Sequence, residues 1–298
     1  KVEGGLTTKK RMIYPQNIEQ KIDFQVIRDG LKGCCMSSLG KERVDAMQWM
    51  THYPTVRDLL SRVREMMAVL MDPTLDFPHG EIYDLREALS RIRIEGLFMD
   101  EAELFSLRKM LDYAAQLERF FSTLDHAKYP GLSGQSGHSG NFAQAIILSI
   151  DRILDRYGKM RDNASPELAR IRKEISASQG SVSRALNAIL RQAQAEGILD
   201  KDAAPTMREG RLVLPVPPAY KRKIGGIVHD ESATGKTVFI EPQQVVEANN
   251  RIRELEGEER RERMRILMAI TAEIRPLVPQ ILETETYLGE VDFLRAKA

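Results

Sequence analysis

The chain has 298 residues with 44 basic and 43 acidic side chains, so its formal net charge is +1. This balance excludes a general electrostatic attraction to nucleic acids or anionic membranes. Apolar residues make up 42% of the chain and aromatic residues 6%, a composition typical of helix-rich soluble proteins. The longest apolar run, residues 145–150, is too short to cross a membrane, and the N-terminal residues lack the apolar core of a signal peptide. We therefore expect a soluble cytoplasmic protein.

Short amphipathic helices are predicted for the first third of the chain. Residues 1–11 are polar and basic without apolar periodicity, so we expect a weakly packed tail there. Apolar residues then recur at helical spacing, for example Ile18, Ile22 and Val26, and later Leu59, Val63, Met66, Met67 and Leu70. Asp100, followed three positions later by Glu103, is typical of a helix N-terminus with a capping box.

The only two cysteines, Cys34 and Cys35, are adjacent. Adjacent residues have poor geometry for a disulfide, and two cysteines are too few for a disulfide scaffold or a metal site. We expect buried thiols in a reducing compartment.

A second part of the chain follows a connection, residues 131–141, whose glycines and serines predict flexibility. Ser165 and Pro166 are a typical helix start, with serine as the N-cap. Apolar spacing then continues to Gly197, which predicts a helix of about 30 residues and roughly 45 to 50 Å. Residues 243–275 have similar spacing and predict a second long helix.

Between these helices, residues 206–240 predict three short strands, because the segment is rich in β-branched residues bounded by Pro and Gly. The predicted fold is mainly α: a helical bundle with a long antiparallel helix arm tipped by a small antiparallel sheet. We expect a tail at 1–11, a core domain at 12–163 with 264–298, and an arm at 164–263 with its β tip at 206–240.

The segment Ala233–Thr237 is similar to the end of a phosphate-binding P-loop. A P-loop needs a glycine five positions before Gly235, where this chain has Asp230, and the residues that follow are strand-like rather than helical. A hairpin turn is therefore predicted instead of a nucleotide site.

No catalytic or metal-binding constellation is evident in the sequence. The five histidines are scattered without metal-ligand spacing, and no serine lies in a nucleophile-elbow motif. In residues 253–263, Glu and Arg are interspersed, which favours a solvated helix face whose charges pair with each other. We expect no active site and no cofactor within these residues.

Positive charge is concentrated in residues 206–240, where six basic side chains against three acidic ones give a charge of +3. The basic residues are Arg208, Arg211, Lys221, Arg222, Lys223 and Lys236. Three of them are consecutive and follow two prolines, so we expect them beside a rigid loop between strands, where they reach a phosphate backbone. The six residues are a predicted nucleic-acid-binding site. The alternative is a basic sheet edge that only discourages aggregation.

Long pieces of this region resemble the MutS-two branch of the MutS family. They are residues 208–216 (REGRLVLPV), 225–235 (GGIVHDESATG) and 237–242 (TVFIEP), followed by Asn249 and Asn250. Shorter pieces at 39–42, 84–89, 96–104 and 161–168 agree, so the resemblance covers residues 12–298. It implies the lever (core) plus clamp region of that family.

Family members continue into an ABC-type ATPase domain, which binds ATP and Mg and mediates dimerisation, and often into an Smr nuclease domain. The resemblance therefore implies that this chain is a segment of a homodimeric ATPase, with the ATP and Mg site outside it. It further implies a clamp on double-stranded or branched DNA that restrains recombination, or one that engages collided ribosomes and their rRNA. Mismatch reading is not implied, because no counterpart of the Phe-x-Glu wedge is present.

A different class of function stays open from the sequence: a non-catalytic scaffold that docks another protein along the charged arm, residues 251–265. Salt separates the two hypotheses. Phosphate binding weakens steeply with ionic strength, about a hundredfold between 50 and 200 mM if about four phosphates are contacted, whereas an apolar protein interface weakens little.

Overall fold

The computed structural model describes residues 17–133 and 140–298. The described residues divide into two compact units, the first formed by those up to residue 150 together with 271–298 and the second by residues 151–270. The predicted tail at 1–11 lies outside the described residues, and the predicted flexible connection at 131–141 is described only at its two ends. In the described ranges, no helix combines the length and apolar character needed to cross a membrane.

The predicted mainly α architecture with a small antiparallel sheet is confirmed. The helices are α1 (Ile18–Lys21), α2 (Phe24–Cys34), α3 (Ser38–Asp45), α4 (Tyr53–Met71), α5 (Arg86–Arg91), α6 (Glu101–Thr123), α7 (Gly140–Ile153), α8 (Pro166–Ala195), α9 (Lys221–Ile224), α10 (Val246–Ile274) and α11 (Val278–Lys297). The strands are β1 (Thr206–Arg208), β2 (Arg211–Val216), β3 (Gly226–Glu231) and β4 (Val238–Pro242). Short 3₁₀ turns lie at Pro218–Tyr220, Gln243–Val245 and Arg275–Leu277.

In the first unit, α6 begins as its sequence predicts. The carboxylate of Asp100 accepts from the backbone N–H of Glu103 at 2.8 Å, and the Glu103 carboxylate accepts from the Asp100 N–H at 3.0 Å. This capping box satisfies two amides that have no partner within the helix. The helix then buries one apolar face, including Leu104, Leu107 and Leu111.

A buried carboxylate on α11 holds the start of α3 in place. Asp292 accepts from the backbone N–H groups of Met36 and Ser37, both at 2.9 Å, and from the Ser37 hydroxyl at 2.7 Å. A side chain at Gly40 would collide with this carboxylate, its Cβ lying 2.3 Å from an Asp292 oxygen. The pairing therefore requires glycine at that position.

The expectation of two buried thiols is wrong for one of them. Cys35 is buried, but Cys34 is exposed, and both are free. Cys34 is the last residue of α2, so its side chain lies on the helix surface while the extended chain that follows turns Cys35 inward.

The second unit is built on an antiparallel pair of long helices, α8 and α10. The N-cap serine Ser165 accepts from Leu168 N–H at 3.0 Å and donates its hydroxyl to Glu262 at 2.6 Å. Farther along α8, the pairing partners on α10 have lower residue numbers, as in Arg172 with Glu259 at 2.8 Å. The 30 residues of α8 correspond to about 45 Å.

The sheet between these helices has four strands rather than the predicted three. Its order is β1-β2-β4-β3 and all neighbouring strands are antiparallel. The additional strand is β1, which precedes the first predicted strand and folds back onto it at Glu209 and Gly210, which both have positive φ, 47° and 73°. Two such residues form a tight hairpin that pairs Arg208 with Arg211.

One face of the sheet packs against α8 and the start of α10. Leu214 and Ile240 lie opposite each other on adjacent strands and are buried in one apolar cluster with Leu186 and Leu190 of α8. Val245, in the 3₁₀ turn after β4, belongs to the same cluster. The sheet is therefore fixed to the helix pair by a small core of its own.

Candidate functional site

Three consecutive cations, Lys221, Arg222 and Lys223, form the helical turn α9, which we call the basic turn. The sequence predicts these cations beside a rigid loop between strands. Pro218–Tyr220 instead forms a 3₁₀ turn, and the chain continues into the helix until Gly225, whose φ of 64° ends it. All three side chains are exposed. The Lys223 ammonium lies 5.6 Å from the ring centroid of Tyr220, and within residues 17–133 and 140–298 no carboxylate pairs with any of the three.

Lys236 lies at the other end of β3 from the basic turn. It is exposed in the turn that joins β3 to β4, where Gly235 has a φ of 67° and Ser232 N–H donates to Thr237 O at 2.8 Å. The predicted hairpin is confirmed, and this geometry does not fit a nucleotide phosphate. At about 3.3 Å per residue, β3 separates Lys236 from the basic turn by roughly 16 to 20 Å.

Arg208 is half-buried and already has partners. Its Nε lies 3.1 Å from a carboxylate oxygen of Asp230, and its guanidinium lies 4.1 Å from the ring centroid of Phe239. The charge of Arg208 is therefore partly neutralised on the face of the sheet that is opposite to α8.

Arg211 is the most enclosed of the six predicted residues, with 14% of its side chain exposed. Its Nη1 donates to both carboxylate oxygens of Glu241, at 2.7 and 2.9 Å, and its Nη2 donates to Asn250 at 2.6 Å. Because Glu241 is fully buried, its charge requires this partner. We assign Arg211 to holding β2, β4 and α10 together rather than to ligand binding.

A cluster of polar side chains around Glu241 is not predicted from the sequence. Asn249 of α10 donates to Glu241 at 2.8 Å, and His229 Nε2 of β3 lies 2.6 Å from the other oxygen. Burial raises the pKa of Glu241, but the hydrogen bonds from Asn249, His229 and Arg211 outweigh it and leave the pKa below its ordinary value. The sequence does contain one signal for this cluster: Glu241 lies between Ile240 and Pro242 in an apolar strand, where a buried carboxylate needs polar partners.

The charges of α10 pair both across to α8 and within α10 itself. Between the two helices, Arg251 contacts Glu174 at 2.8 Å and Arg170 contacts Glu258 at 3.5 Å. Within α10, Arg251 also contacts Glu254 at 3.3 Å. Arg265 pairs within its own helix with Glu262 at 2.7 Å. The expected self-pairing along α10 is present, and the same helix also forms ion pairs with α8.

Chemistry of other kinds has little support in the described part of the chain. There, no group of three His, Cys, Asp or Glu side chains is arranged so that it could hold a metal ion. The features that stand out are thus a cationic turn without carboxylate partners and a sheet that carries it.

Fold and site together define a class: a mainly α protein in which an antiparallel pair of long helices carries a small β-sheet with an exposed basic turn. No family model matches the chain. It is, however, 34% identical over 279 residues to a protein named endonuclease MutS2 from Geobacillus sp. (strain WCH70). Proteins of the same name from Alkaliphilus oremlandii and Acetivibrio thermocellus are 31% and 33% identical.

The chain belongs to the MutS family, and its sequence is MutS2-like over 93% of its length. The match covers 35% of the length of each of these three relatives. The chain thus spans about a third of the curated relatives that it matches.

Proposed function

We propose that this chain is a nucleic-acid clamp module, in which the helix pair α8–α10 presents the basic turn to the phosphates of double-stranded or branched DNA. The observation that carries the proposal is the basic turn itself. Three adjacent exposed cations without carboxylate partners in the described residues retain their charge for a polyanion, whereas Arg208 and Arg211 already have acidic partners.

The surroundings of the basic turn support a rigid contact. Two prolines precede it, Tyr220 packs beside Lys223, and Ile224 packs against the apolar cluster of the sheet. A turn fixed on both sides loses little conformational freedom when it binds. Because backbone phosphates carry no sequence information, this contact positions the protein without reading bases.

The proposed division of labour follows the family resemblance. Residues 12–163 with 264–298 act as the lever or core, and residues 164–263 act as the clamp arm. ATP hydrolysis and Mg binding, the contact between ATPase domains in the homodimer and the endonuclease activity named in the relatives belong, in this proposal, to parts of the protein outside these 298 residues. Movement of the ATPase dimer would be transmitted through α8 and α10 to the tip.

The basic turn fits rRNA phosphates as well as DNA phosphates, so a collided ribosome is the second substrate to test. In either case the readout is binding of the chain to a DNA duplex, a four-way DNA junction or ribosomes at low salt. Changing Lys221, Arg222 and Lys223 together to Glu is expected to weaken the affinity of the chain for its nucleic acid at least tenfold, because three attractive contacts become repulsive.

A matched control is Arg260→Glu with Arg261→Glu, two exposed cations on α10 that lie outside the tip. This variant is expected to retain binding to within about twofold. Unchanged binding by the triple variant would remove the basic turn from the proposed interface.

The scaffold hypothesis makes the opposite prediction, since it places the contact on residues 251–265. The ion pairs of Arg251 and Arg265 already engage much of that charge within the unit. The scaffold hypothesis is favoured if the Arg260→Glu, Arg261→Glu control loses binding to a partner protein while the triple variant of the basic turn keeps it.

A further inference from the structure

Strand β3 forms one edge of the sheet. It pairs with β4, and among the described residues no strand pairs with its other side. Two apolar side chains on it are exposed, Ile227 by 45% and Val228 by 44%. An edge strand with exposed apolar residues is a template for adding another strand.

The backbone hydrogen bonds that flank β3 identify which of its groups point away from β4. Gln243 N–H donates to Gly225 O at 3.3 Å and Ser232 N–H donates to Thr237 O at 2.8 Å. In an antiparallel ladder, these bonds make Gly226 with Pro242, and Glu231 with Val238, non-hydrogen-bonded pairs.

By the alternation of the same ladder, Val228 with Ile240 is also a non-hydrogen-bonded pair. The N–H and C=O groups of Gly226, Val228 and Glu231 therefore point away from β4. Of these, the Glu231 N–H donates to the side chain of its neighbour Asp230 at 2.8 Å. The bulge between Val228 and Asp230 adds one residue, so Glu231 lies about as far along the edge from Val228 as Gly226 does on the other side. The outward-pointing backbone groups are thus spaced evenly about Val228.

Charge is distributed oppositely at the two ends of this edge. The basic turn precedes β3, and Asp230 and Glu231 end it. An antiparallel copy of β3 would set each basic turn beside the acidic end of the other strand. A parallel copy would instead set cation against cation, so the edge is complementary to itself in one orientation only.

We propose that β3 pairs antiparallel with β3 of a second copy of this chain, about a two-fold axis at Val228. Each Val228 N–H donates to Val228 O of the other copy, and Gly226 faces the other copy's Glu231. The two sheets join into one of eight strands, which links two tips. This contact requires no nucleic acid, so it is tested apart from the proposed function.

Crosslinking without nucleic acid tests the proposal directly. In a Cys34→Ser, Cys35→Ala background, Val228→Cys is expected to give a covalent dimer with a short bis-maleimide. The matched control is Met207→Cys, which is 54% exposed on β1 at the opposite edge of the same sheet. A dimer yield for Val228→Cys no greater than for Met207→Cys overturns the proposal.

Two further variants separate strand pairing from loss of fold. Val228→Pro removes an N–H that points to solvent, which an edge strand tolerates, so the variant is expected to keep its circular dichroism and lose association in sedimentation velocity. Glu231→Lys is expected to weaken association at least fivefold, and adding Lys223→Glu to restore it. A chain that sediments as a monomer at every concentration, or a charge swap that restores nothing, contradicts the two-fold pairing.

Discussion

Arg211 on β2 and Glu241 on β4 form an ion pair in which Nη1 of the arginine lies 2.7 Å from Oε1 of the glutamate. The Arg211 side chain is 14% exposed and the Glu241 side chain is fully buried. Asn249 and His229 complete the coordination of the carboxylate. The pair therefore joins three strands to the start of α10. We infer that this cluster fixes the orientation of the sheet on the helix pair.

Glu241→Gln is expected to destabilise the second unit by about 3–5 kcal/mol, because it leaves the buried Arg211 guanidinium without a counter-charge. Chemical denaturation followed by circular dichroism measures this loss. The control is Asp230→Asn, which breaks the exposed pair with Arg208 and should cost less than about 1 kcal/mol. Equal small losses for both variants would contradict the role of the cluster.

Glu285 on α11 is expected to make the folded protein less stable as the pH rises, whereas a carboxylate in an ordinary ion pair makes it more stable. It is 2% exposed, one carboxyl oxygen accepts from Leu85 N–H at 2.8 Å, and the other has no partner in the described residues. Burial raises its pKa from 4.5 to about 7. The folded state thus favours the protonated acid, whose contribution is fully present below the unfolded pKa and is lost as the pH rises through about 7.

We therefore expect the free energy of unfolding to fall by up to about 3 kcal/mol between about pH 5 and pH 8 from this group alone. Glu285→Gln should remove that fall while keeping the acceptor for Leu85. Glu283→Gln, at an exposed position of the same helix, should leave it in place. Denaturant titrations at several pH values decide between these outcomes, and an unaltered pH slope in Glu285→Gln would count against the buried acid.

Ser165→Ala is expected to cost about 1–2 kcal/mol, because α8 loses its N-cap and the buried Glu262 loses a hydrogen-bond donor. Ser165→Thr keeps the hydroxyl and should recover most of the loss. Thermal unfolding of the three proteins provides the comparison. Equal midpoints for alanine and serine would show that the cap contributes nothing.

The sequence allowed these caps to be predicted because their signals are local. Asp100 with Glu103, and Ser165 with Pro166, lie within one helical turn, and the structure confirms both helix starts. The hairpin at Gly235 was predictable for the same reason, since the residues that exclude a P-loop are adjacent in the chain.

The missed features depend on contacts between residues far apart in the chain. Glu241 meets Arg211 from 30 positions away, so the sequence could indicate only that a buried carboxylate needs some partner. The extra strand β1 was missed because Glu209, a residue uncommon at positive φ, occupies the first position of the tight turn. The sequence likewise does not show which of the six cations have acidic partners. Arg208 and Arg211 pair with Asp230 and Glu241, which are distant in the chain, whereas the basic turn has no carboxylate partner among the described residues.

The central claim, that the basic turn binds phosphates, is tested most directly by the salt dependence of DNA binding. The slope of log affinity against log salt should be shallower by about 2 to 3 in the Lys221→Glu, Arg222→Glu, Lys223→Glu variant than in the unmodified chain, since about 0.9 of a counterion is released per phosphate contact. Parallel slopes for the two proteins would contradict the claim.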